Sequence, residues 1–586
     1  MLRRLVVTGA VAGMLLSTAA TPASASLDPV RLMLRHMSVR DKVGQLFVVE
    51  VYGQDARSVT PAAAARNQAL YGVDTPAQVI DKYRPGGVIY FDARRGPDNV
   101  QNPRQIATLS NGLQAAALRT GAHVPLLIST DQEGGAVVYR LTAPATAMPG
   151  NMALGATRST ADAHRSAEVI GTELAAVGIN QDYAPVADVN VNPANPVIGV
   201  RSAGADPALV SDMVAAQVRG YHSGGVATVA KHFPGHGDTA TDSHFGLPEV
   251  THTRADLEAI DLPPFRAAIA AGVDTIMTAH VVLRSVDPSG APATMSRPIL
   301  TGLLREELGY NGLIVTDALD MGGATGTYPP DVAPVAAFEA GADQLVLAPR
   351  MDLAYAAVLG AVESGRISQS RLDASVERIL RLKLKRGLWL KPFVSPDRAA
   401  AVVGAPEHRA AEQAITDHTT TLVKNDAGLL PLAAGPRAVL VTGWGVTTTS
   451  TLGAAIGRRG ATVTVRETGT APTAATIAEV AATAAQQDLI VVSTMNAAAS
   501  STGQHALVRA LLATGKPVVV AGVRNPYDIA YFPEAPTYLA TYGYTAASLE
   551  SLTRAIFGEI DPVGKLPVSI PRADGTGILY PIGHGL

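Results

Sequence analysis

Cysteine is absent from this chain of 586 residues. Its absence excludes disulfide bonds, thiolate metal ligands, a cysteine nucleophile and lipid attachment through an N-terminal cysteine. An excess of charge of either sign is also lacking, because 47 basic and 50 acidic side chains leave a formal net charge of −3. That balance offers no electrostatic attraction for nucleic acid or an anionic membrane, so we expect neither as a partner.

The rest of the composition is that of a folded enzyme. Hydrophobic residues make up 47% of the chain and charged residues 17%, which is typical of globular α/β proteins and not of disordered chains. A chain of this length exceeds what one hydrophobic core usually supports, so two domains are expected.

The N-terminus has the features of an export signal. Arg3 and Arg4 precede the apolar stretch Leu5–Ala20, and Ala23-Ser24-Ala25 is a small-x-small cleavage sequence. The pattern predicts a signal peptide over residues 1–25, cleaved near Ala25, and a secreted, soluble mature protein, with a monomer as the expected state. An uncleaved anchor is the alternative, although the apolar stretch is short for a membrane span.

Apolar runs alternate with amphipathic stretches over residues 26–390, which is the pattern of βα units. Eight candidate strands over about 300 residues predict a (β/α)8 barrel, with a doubly wound open sheet as the alternative. The candidate strands are Val43–Val49, Gly87–Phe91, Leu126–Thr130, Ile179–Ala184, Val226–Ala230, Thr275–Ala279, Leu313–Thr316 and Gln344–Leu347. The candidate helices between them include Ala161–Val177, Pro207–His222, Arg254–Ala271 and Pro298–Leu308.

A second α/β pattern follows a predicted linker at residues 391–406. Residues 407–586 alternate apolar strands with alanine-rich helices, which predicts a three-layer α/β/α sandwich. This part has no Walker motif and no GxGxxG after a strand, so we expect the chemistry in the first domain. Its candidate strands are Ala438–Thr442, Ala461–Val465, Leu489–Ser493, Pro517–Gly522 and Thr537–Thr541.

The segment Lys231–Pro248 (KHFPGHGDTATDSHFGLP) holds the densest group of reactive side chains. Its glycines and prolines exclude a helix, and it follows the apolar run Val226–Ala230. The segment is therefore expected to be an ordered loop at the C-terminal end of a strand, where barrel enzymes hold their active sites. Polar residues also follow other candidate strands, namely Asp131, Asp188, His280 and Asp317.

Asp317, in GLIVTDALDM, is the candidate nucleophile. A carboxylate directly after an apolar strand is held rigidly toward the pocket, as attack on the anomeric carbon of a sugar requires. The structural alternative is the N-cap of the following helix, a role that Asp320 could also fill.

Asp242 and His244 are the candidate acid/base pair. Residues two apart in an extended segment project on the same side, so the carboxylate can orient the imidazole and stabilise its protonated form. Such a histidine can protonate a leaving oxygen and later deprotonate an acceptor. An Asx turn beside a surface histidine is the structural alternative.

A metal site is a competing interpretation of the same loop. His232, His236 and His244, with Asp238 or Asp242, offer the donor types of a zinc or other transition-metal site. The proline and glycine after His232 remove the helix that usually places two such histidines on one face. We therefore expect no metal and no organic cofactor.

Other charged residues at strand ends suit the hydroxyls of a sugar. Asp131, Lys231 and His232 are of this kind, and Arg201 could donate a fork of hydrogen bonds to a hydroxyl or an amide carbonyl. Glu133 is expected to be a structural hydrogen-bonding partner. No GxSxG sequence is present, so a serine hydrolase is not indicated.

Together these motifs resemble glycoside hydrolase family 3, in particular its β-N-acetylglucosaminidase branch. The resemblance covers nearly the whole mature chain in order, and KHFPGHG followed by DSH is its most specific part. The matching motifs are DQEGG (Asp131–Gly135), MPGNMALGAT (Met148–Thr157), NPVIGVRS (Asn195–Ser202), KHFPGHG with DSHFGLP, VTDALDM (Val315–Met321), LVKNDAGLLPL (Leu422–Leu432), GEIDPVGKLPVSIP (Gly558–Pro571) and YPIGHGL.

The resemblance implies a role for each candidate site residue. Asp317 would be the nucleophile, His244 the acid/base group and Asp242 its partner. The family usually has an arginine eight residues after the aspartate of DQEGG, whereas this chain has Tyr139 there and Arg140 next. The residues that would hold the N-acetylglucosamine are Asp131, Arg140, Arg201, Lys231 and His232.

The activity implied is exo-acting, retaining release of terminal β-linked N-acetylglucosamine from cell-wall fragments or chito-oligosaccharides. A neutral imidazole does not repel an anion, so water and phosphate are alternative acceptors. A family 3 β-glucosidase or β-xylosidase is the main competing enzyme, and it would take its acid/base glutamate from the second domain. A metal-dependent barrel hydrolase and an inactive sugar-binding protein are the remaining alternatives.

Overall fold

The structure, a computed structural model, describes residues 28–426, 428–433 and 437–586. The predicted signal peptide lies outside the described residues. Within the described ranges, no helix is both long and apolar enough to cross a bilayer.

The first domain is a closed barrel of parallel strands. Its eight strands are β1 Phe47–Val49, β2 Gly87–Ile89, β3 Leu127–Thr130, β4 Gln181–Asp182, β5 Ala227–Phe233, β6 Thr275–Thr278, β7 Leu313–Val315 and β8 Leu345–Val346. Their order is β7-β6-β5-β4-β3-β2-β1-β8, and a parallel bridge from Val315 to Gln344 joins β7 to the residue before β8. The predicted (β/α)8 barrel is therefore confirmed, and the open-sheet alternative is wrong.

Helices surround the barrel and mostly begin where the sequence supplies a cap. Thr60, Thr75, Asn102 and Asp206 each accept a backbone hydrogen bond at a helix start, and a proline follows each of them. The helices of this domain are α1 Pro29–His36, α2 Val39–Gln45, α3 Pro61–Tyr71, α4 Pro76–Tyr83, α5 Pro103–Ala117, α6 Asn151–Thr157, α7 Thr160–Ala176, α8 Pro207–Gly224, α9 Arg254–Asp256, α10 Leu262–Ala270, α11 Gly322–Thr325, α12 Ala333–Ala340, α13 Met351–Glu363 and α14 Gln369–Lys385.

Two local predictions are corrected. The predicted strand Val43–Val49 begins as the end of helix α2, because Ser38 and Asp41 form a capping box that starts the helix at Val39. The predicted helices Arg254–Ala271 and Pro298–Leu308 contain π-helical stretches, at Leu257–Asp261 and Pro298–Glu307.

The second domain is a three-layer sandwich, as predicted. Its sheet has the order β11-β10-β12-β13-β14-β9, in which only the pairing of β9 with β14 is antiparallel. Hydrophobic clusters cover both faces of this sheet, with helices α17 and α20 on one face and α18 and α19 on the other. The elements are α16 Pro406–Asp417, β9 Thr421–Asn425, β10 Ala438–Gly443, α17 Val446–Gly457, β11 Thr462–Glu467, α18 Ala474–Ala484, β12 Leu489–Thr494, α19 Thr502–Leu512, β13 Val518–Gly522, β14 Thr537–Ala540, α20 Ala546–Ile556, β15 Ile570–Pro571 and β16 Ile578–Tyr580.

The two domains pack directly against each other. The segment predicted as a linker contains helix α15 Pro396–Val402, which packs on α5 and α7 of the barrel. The hydroxyl of Tyr544 donates to the carbonyl of Ala136 at 3.1 Å. Because Ala136 lies in the loop after β3, the second domain contacts the end of the barrel that carries the polar loops.

Candidate active site

One pocket at the C-terminal ends of the barrel strands collects the predicted site residues. Its space is about 110 Å³, and the lining residues that the structure describes all belong to the first domain. Asp242 lies outside the lining but contacts His244, which is part of it. The predicted residues that line the pocket are Asp131, Arg140, Arg201, Lys231, His232, His244 and Asp317.

Asp317 lies two residues beyond β7, at the floor of this pocket. Burial alone would raise the pKa of its carboxyl, but His232 and the amide of Ala318, which donates to Oδ1 at 2.8 Å, lower that pKa below its ordinary value. The group is therefore a carboxylate at neutral pH, as a nucleophile must be. The N-cap alternative is wrong, because the following helix begins at Gly322 and its N-cap is Met321.

Asp242 and His244 form the paired arrangement that their spacing predicts. One carboxylate oxygen, Oδ1 of Asp242, contacts both the amide nitrogen of His244 at 2.9 Å and its ring Nδ1 at 2.7 Å. The contact with the amide is the Asx turn named as the structural alternative, and the contact with Nδ1 is the predicted pairing of carboxylate and imidazole. Asp242 Oδ1 makes both contacts. With Nδ1 held by the carboxylate, Nε2 is the ring nitrogen left for a ligand in the pocket.

Burial and hydrogen bonding act in opposite directions on Asp242. Burial raises the pKa of its carboxyl, but the two hydrogen bonds from His244 outweigh that effect and lower the pKa. A negative charge is therefore maintained beside the imidazole, and it stabilises the protonated ring. Such a ring can give its proton to a leaving group and regain one from an acceptor.

A buried ion-pair network fixes the floor of the pocket. The Lys231 ammonium lies 2.8 Å from both Asp131 Oδ1 and Glu133 Oε1, and Arg201 donates to Glu133 through two nitrogens at 2.8 and 2.9 Å. Burial raises the pKa of Glu133, but Arg201 and Lys231 hold it well below its ordinary range. Glu133 is thus the structural partner predicted for it, because it fixes two cations that line the pocket.

His232 is held between a carboxylate and a guanidinium. Arg201 Nη2 lies 3.4 Å from His232 Nε2. The other ring nitrogen, Nδ1, donates to Asp188 Oδ2 at 2.7 Å. Asp188 is fully buried, and its carboxylate joins His232, at the end of β5, to the amide of His236 in the loop that follows.

The shifted arginine reaches the pocket although its position in the sequence differs from the family pattern. Arg140 lies 3.9 Å from Asp131 and its guanidinium stands 5.2 Å from the ring centre of Phe91. Tyr139 turns away from the pocket, with its ring 4.4 Å from the guanidinium of Arg94. Of these two adjacent residues, Arg140 and not Tyr139 therefore lines the pocket.

The histidines proposed as metal ligands are engaged with other groups. His236 contacts the hydroxyls of Thr239 and Ser243, and Asp238 pairs with His252 at 3.1 Å. Within the residues that the structure describes, no group of three His, Cys, Asp or Glu side chains is arranged to hold a metal.

Sequence reasoning missed part of the pocket rim. Arg95 lines the pocket, pairs with Asp320 at 3.0 Å and stands 4.5 Å from the ring centre of Phe91. Phe91 therefore lies against two arginines, Arg95 and Arg140. The one sequence feature that could have identified Arg95 is its position, because Arg94 and Arg95 follow the second strand within a few residues. Two arginines in an ordinary surface loop would give the same pattern.

Both domains match known protein families. Residues 38–382 match the Glycosyl hydrolase family 3 N terminal domain, and residues 420–586 match the Glycosyl hydrolase family 3 C-terminal domain. The two matches lie on the barrel and on the sandwich respectively.

Individual relatives point to the same family. Beta-hexosaminidase A of Pseudoalteromonas piscicida is 41% identical over 62% of this chain, which spans 63% of that protein's length. A beta-N-acetylglucosaminidase/beta-glucosidase of Cellulomonas fimi is 30% identical over 94% of this chain and 97% of its own. The solved structure of a glycoside hydrolase family 3 beta-N-acetylglucosaminidase from Paenibacillus sp. str. FPU-7 is 39% identical, with a TM-score of 0.81 over 91% of this chain and 99% of its own.

Proposed function

The chain belongs to glycosyl hydrolase family 3, and we propose that it is an exo-acting, retaining β-N-acetylglucosaminidase. One observation carries the proposal. An ionised Asp317 and a histidine held by Asp242 line the same pocket, and the free ring nitrogen of His244 is available to a bound ligand.

The proposed reaction is a double displacement. Asp317 attacks the anomeric carbon while His244 Nε2 gives a proton to the departing oxygen, and a covalent glycosyl ester forms. His244 then removes a proton from water, the water oxygen attacks the anomeric carbon, and the carboxylate of Asp317 leaves. Two inversions give net retention of the anomeric configuration. No metal or organic cofactor enters these steps.

The size of the pocket supports an exo mode of action. A space of about 110 Å³ corresponds to roughly four water molecules at about 30 Å³ each, so the pocket has no room for several sugar units of a chain. Below it, Val48, Val229, Val315 and Val346 pack together in the interior of the barrel. A pocket this small suits the terminal unit of a chain.

The residues around Asp317 suit the terminal sugar. Asp131 offers a carboxylate acceptor to hydroxyls, and Lys231, Arg201 and Arg140 offer donors fixed by the ion-pair network. Because these side chains are already held in place by the network before a ligand binds, ordering them on binding costs little free energy.

The proposed substrates are β-linked N-acetylglucosamine termini of cell-wall fragments or chito-oligosaccharides. The names of the relatives from Pseudoalteromonas, Cellulomonas and Paenibacillus support an amino-sugar substrate. The N-terminal pattern of basic residues, an apolar run and small residues supports secretion of the protein. Polymers of this kind are found outside the cell membrane. Phosphate as the acceptor in place of water is the alternative within the same site.

A β-glucosidase is the second candidate function, because the Cellulomonas relative is named for both activities. It would differ in tolerance of the 2-substituent and not in the catalytic pair. The version that takes an acid/base glutamate from the second domain is disfavoured, since the described lining residues of the pocket all belong to the barrel.

The test compares 4-nitrophenyl β-N-acetylglucosaminide with 4-nitrophenyl β-glucoside for the wild type, Asp317→Ala, His244→Ala and Asp352→Asn. The proposal predicts preference for the acetamido sugar, losses on the order of 10³-fold or more for the first two variants, and no effect for Asp352→Asn, whose carboxylate lies in an exposed pair with Arg350. Glucoside preference, or near-normal activity of His244→Ala with a glycoside of a poor leaving group, would contradict it. Product analysis with and without phosphate distinguishes the two acceptors.

A further inference from the structure

Ser243, the residue between Asp242 and His244, ties the catalytic loop to a buried histidine. Its Oγ lies 2.9 Å from Nε2 of His236, and the two residues are each 2% exposed. Neither side chain has a part in the double displacement itself.

The hydrogen-bond partners fix the direction of this contact. The hydroxyl of Thr239 donates to the carbonyl of His236 at 3.0 Å, so its oxygen accepts from His236 Nδ1 at 2.6 Å. His236 therefore carries its proton on Nδ1, and Nε2 is an acceptor to which Ser243 donates. Burial lowers the pKa of His236 to about 4, so the ring stays neutral around neutral pH and the contact persists.

His236 is itself held on both sides of its backbone. Its amide donates to Asp188 Oδ1 at 2.8 Å, and its carbonyl accepts from Asn195 Nδ2 at 2.9 Å. Asp188 is also the partner of His232. The histidine that anchors Ser243 is thus fixed to the same carboxylate as a substrate-binding histidine.

We propose that His236 and Ser243 are positioning residues for the acid/base step: the hydrogen bond from Ser243 to His236 holds His244 at the pocket. The inference rests on the proposed function. The loop residues beside the pair are exposed, and the side chain of His244 is 49% exposed. The backbone at Ser243 and His244 also accepts hydrogen bonds from the amides of Gly323 and Gly322, but the bond from Ser243 to His236 is the side-chain contact that ties this part of the loop to a buried partner.

The test uses two glycosides that differ in their need for a proton. A 2,4-dinitrophenyl glycoside leaves without protonation, whereas a 4-methoxyphenyl glycoside needs an acid. Ser243→Ala is expected to lower kcat/KM for the methoxyphenyl substrate by about 10- to 100-fold, a part of the 10²- to 10⁴-fold that acid catalysis supplies, and to leave the dinitrophenyl value nearly unchanged.

Matched variants separate positioning from general damage. His236→Gln keeps a side-chain acceptor for the hydroxyl of Ser243 and is expected to retain more activity than His236→Leu. His236→Leu removes the acceptor, so its loss of activity should equal that of Ser243→Ala. Ser223→Ala, a serine on the surface of α8, is the control and should behave as the wild type. Equal losses on both glycosides, or no loss for Ser243→Ala, would overturn the inference. A wild type that is inactive on both glycosides would overturn the proposed function and this inference with it.

A second, larger groove opens beside the pocket, and Arg95 lines both. The groove has about 1210 Å³ of space against about 110 Å³ for the pocket. It lies between helices α3 and α5 and the loops after β1 and β2. Its lining combines aromatic, apolar, basic and amide side chains, among them Tyr52, Val59, Ala63, Arg66, Arg95 and Gln105.

The position of the groove relates it to the reaction. Arg95 pairs with Asp320, three residues after Asp317, so the groove begins at the loop that carries the nucleophile. The pocket is closed below, so the rest of a bound chain must leave through its mouth. A tyrosine ring, arginines and an amide are the side chains that contact the faces and hydroxyls of sugars.

We infer that this groove binds the sugar units on the reducing side of the bond that is cleaved. The inference also rests on the proposed function and specifies its substrate class as oligosaccharides that extend beyond a disaccharide. Ala63→Trp would fill the groove from α3, and Ala65→Trp, at an exposed position of the same helix outside the groove lining, is the matched control.

The measurement is kcat/KM for a β-linked N-acetylglucosamine pentasaccharide and for the aryl glycoside of one sugar. Ala63→Trp is expected to lose about tenfold on the pentasaccharide, which corresponds to 1.4 kcal/mol, and nothing on the aryl glycoside. Ala65→Trp should change neither. Equal kcat/KM of Ala63→Trp and wild type on the pentasaccharide would overturn the inference, and so would an equal loss on both substrates.

Discussion

The amide of Gly322 donates a hydrogen bond of 3.0 Å to the carbonyl of His244. The next amide, that of Gly323, donates to the carbonyl of Ser243 at the same distance. The turn after Asp317, the proposed nucleophile, thus supports the backbone of the loop that carries His244, the proposed acid/base group. The proposed mechanism requires the two groups to act across one bond, and these backbone contacts help to set their relative position.

Gly322→Ala should therefore reduce catalysis. A Cβ at this position would lie 2.8 Å from the carbonyl carbon of Phe245 and 3.0 Å from the carbonyl oxygen of His244, so the loop must move. A displacement of about 1 Å at a catalytic group costs on the order of 10²-fold, and we expect kcat to fall by 10- to 100-fold with a small change in KM. Steady-state kinetics on an aryl glycoside measure this.

Gly360→Ala is the control for that substitution. A Cβ there meets nothing within 4 Å, and the residue lies within helix α13, where alanine is favoured over glycine by about 0.5–1 kcal/mol. Its activity should equal that of the wild type. Full activity of Gly322→Ala would show that the contact between the two loops does not position His244.

Arg140→Ala should weaken substrate binding, whereas Tyr139→Phe should not. Arg140 lines the pocket beside Asp131, and the loss of a charged hydrogen bond of about 1.5–3 kcal/mol predicts a fall in kcat/KM of roughly 10- to 100-fold. Tyr139 faces Arg94 outside the pocket. Comparing KM for the two variants tests which of these adjacent residues fills the family's arginine position, and the reverse result would assign it to Tyr139.

The pH dependence of glycosyl transfer to the enzyme should reflect the lowered pKa of Asp317. A carboxyl whose pKa lies below the ordinary value of about 3.9 is still ionised at about pH 5. It becomes protonated only when the pH falls below about 3.9. With a 2,4-dinitrophenyl glycoside, which needs no acid, kcat/KM should stay flat from pH 7 to about pH 5. A loss of kcat/KM with a midpoint above pH 5 would contradict this assignment.

Asp274 should stabilise the fold in a pH-dependent way. Its carboxylate is 1% exposed and contacts His222 at 2.7 Å, Lys385 at 2.6 Å and Arg386 at 2.6 Å. Burial raises the pKa of Asp274, but the bond to His222 and the charges of Arg386 and Lys385 outweigh it and hold the pKa well below the ordinary range.

The folded-state pKa of Asp274 lies below the unfolded value of about 3.9, so its stabilisation is present above pH 4 and is lost as the pH falls further. Asp274→Asn should therefore cost about 3–5 kcal/mol at pH 7, because it leaves the buried guanidinium of Arg386 without its anion. Urea unfolding at pH 7 and pH 3.5 measures the difference. Asp352→Asn, in an exposed pair with Arg350, is the control and should cost less than about 1 kcal/mol.

The barrel could be predicted because apolar strand runs recur at regular intervals and are followed by polar residues. The end of the first strand was predicted, but its start was not, since the capping box of Ser38 and Asp41 starts a helix in a run that also reads as apolar. Strand β9, Thr421–Asn425, was missed. It forms the antiparallel edge of the second sheet, and its partner β14 is more than one hundred residues away in sequence, so local pattern alone does not identify it.

The gathering of Asp317, His244 and most of the predicted sugar-binding residues around one pocket could be predicted, because they lie at the ends of strands or in the loops that follow them. The pairings among them could not. Glu133 reaches both Arg201 and Lys231 across the barrel, and Arg95 reaches Asp320 over more than two hundred residues. Such contacts form because closure of the barrel brings distant loops together. The spacing of residues within one loop does not predict which loops will meet.

The central claim is that Asp317 forms a covalent bond to the sugar and that His244 supports both steps. The most direct measurement is mass spectrometry of His244→Ala quenched during turnover of 2,4-dinitrophenyl β-N-acetylglucosaminide. Formation of the ester needs no acid with this leaving group, but its hydrolysis lacks a base, so the ester should accumulate as one N-acetylglucosamine unit on the peptide that contains Asp317. Turnover without an adduct, or an adduct on any other residue, would contradict the account.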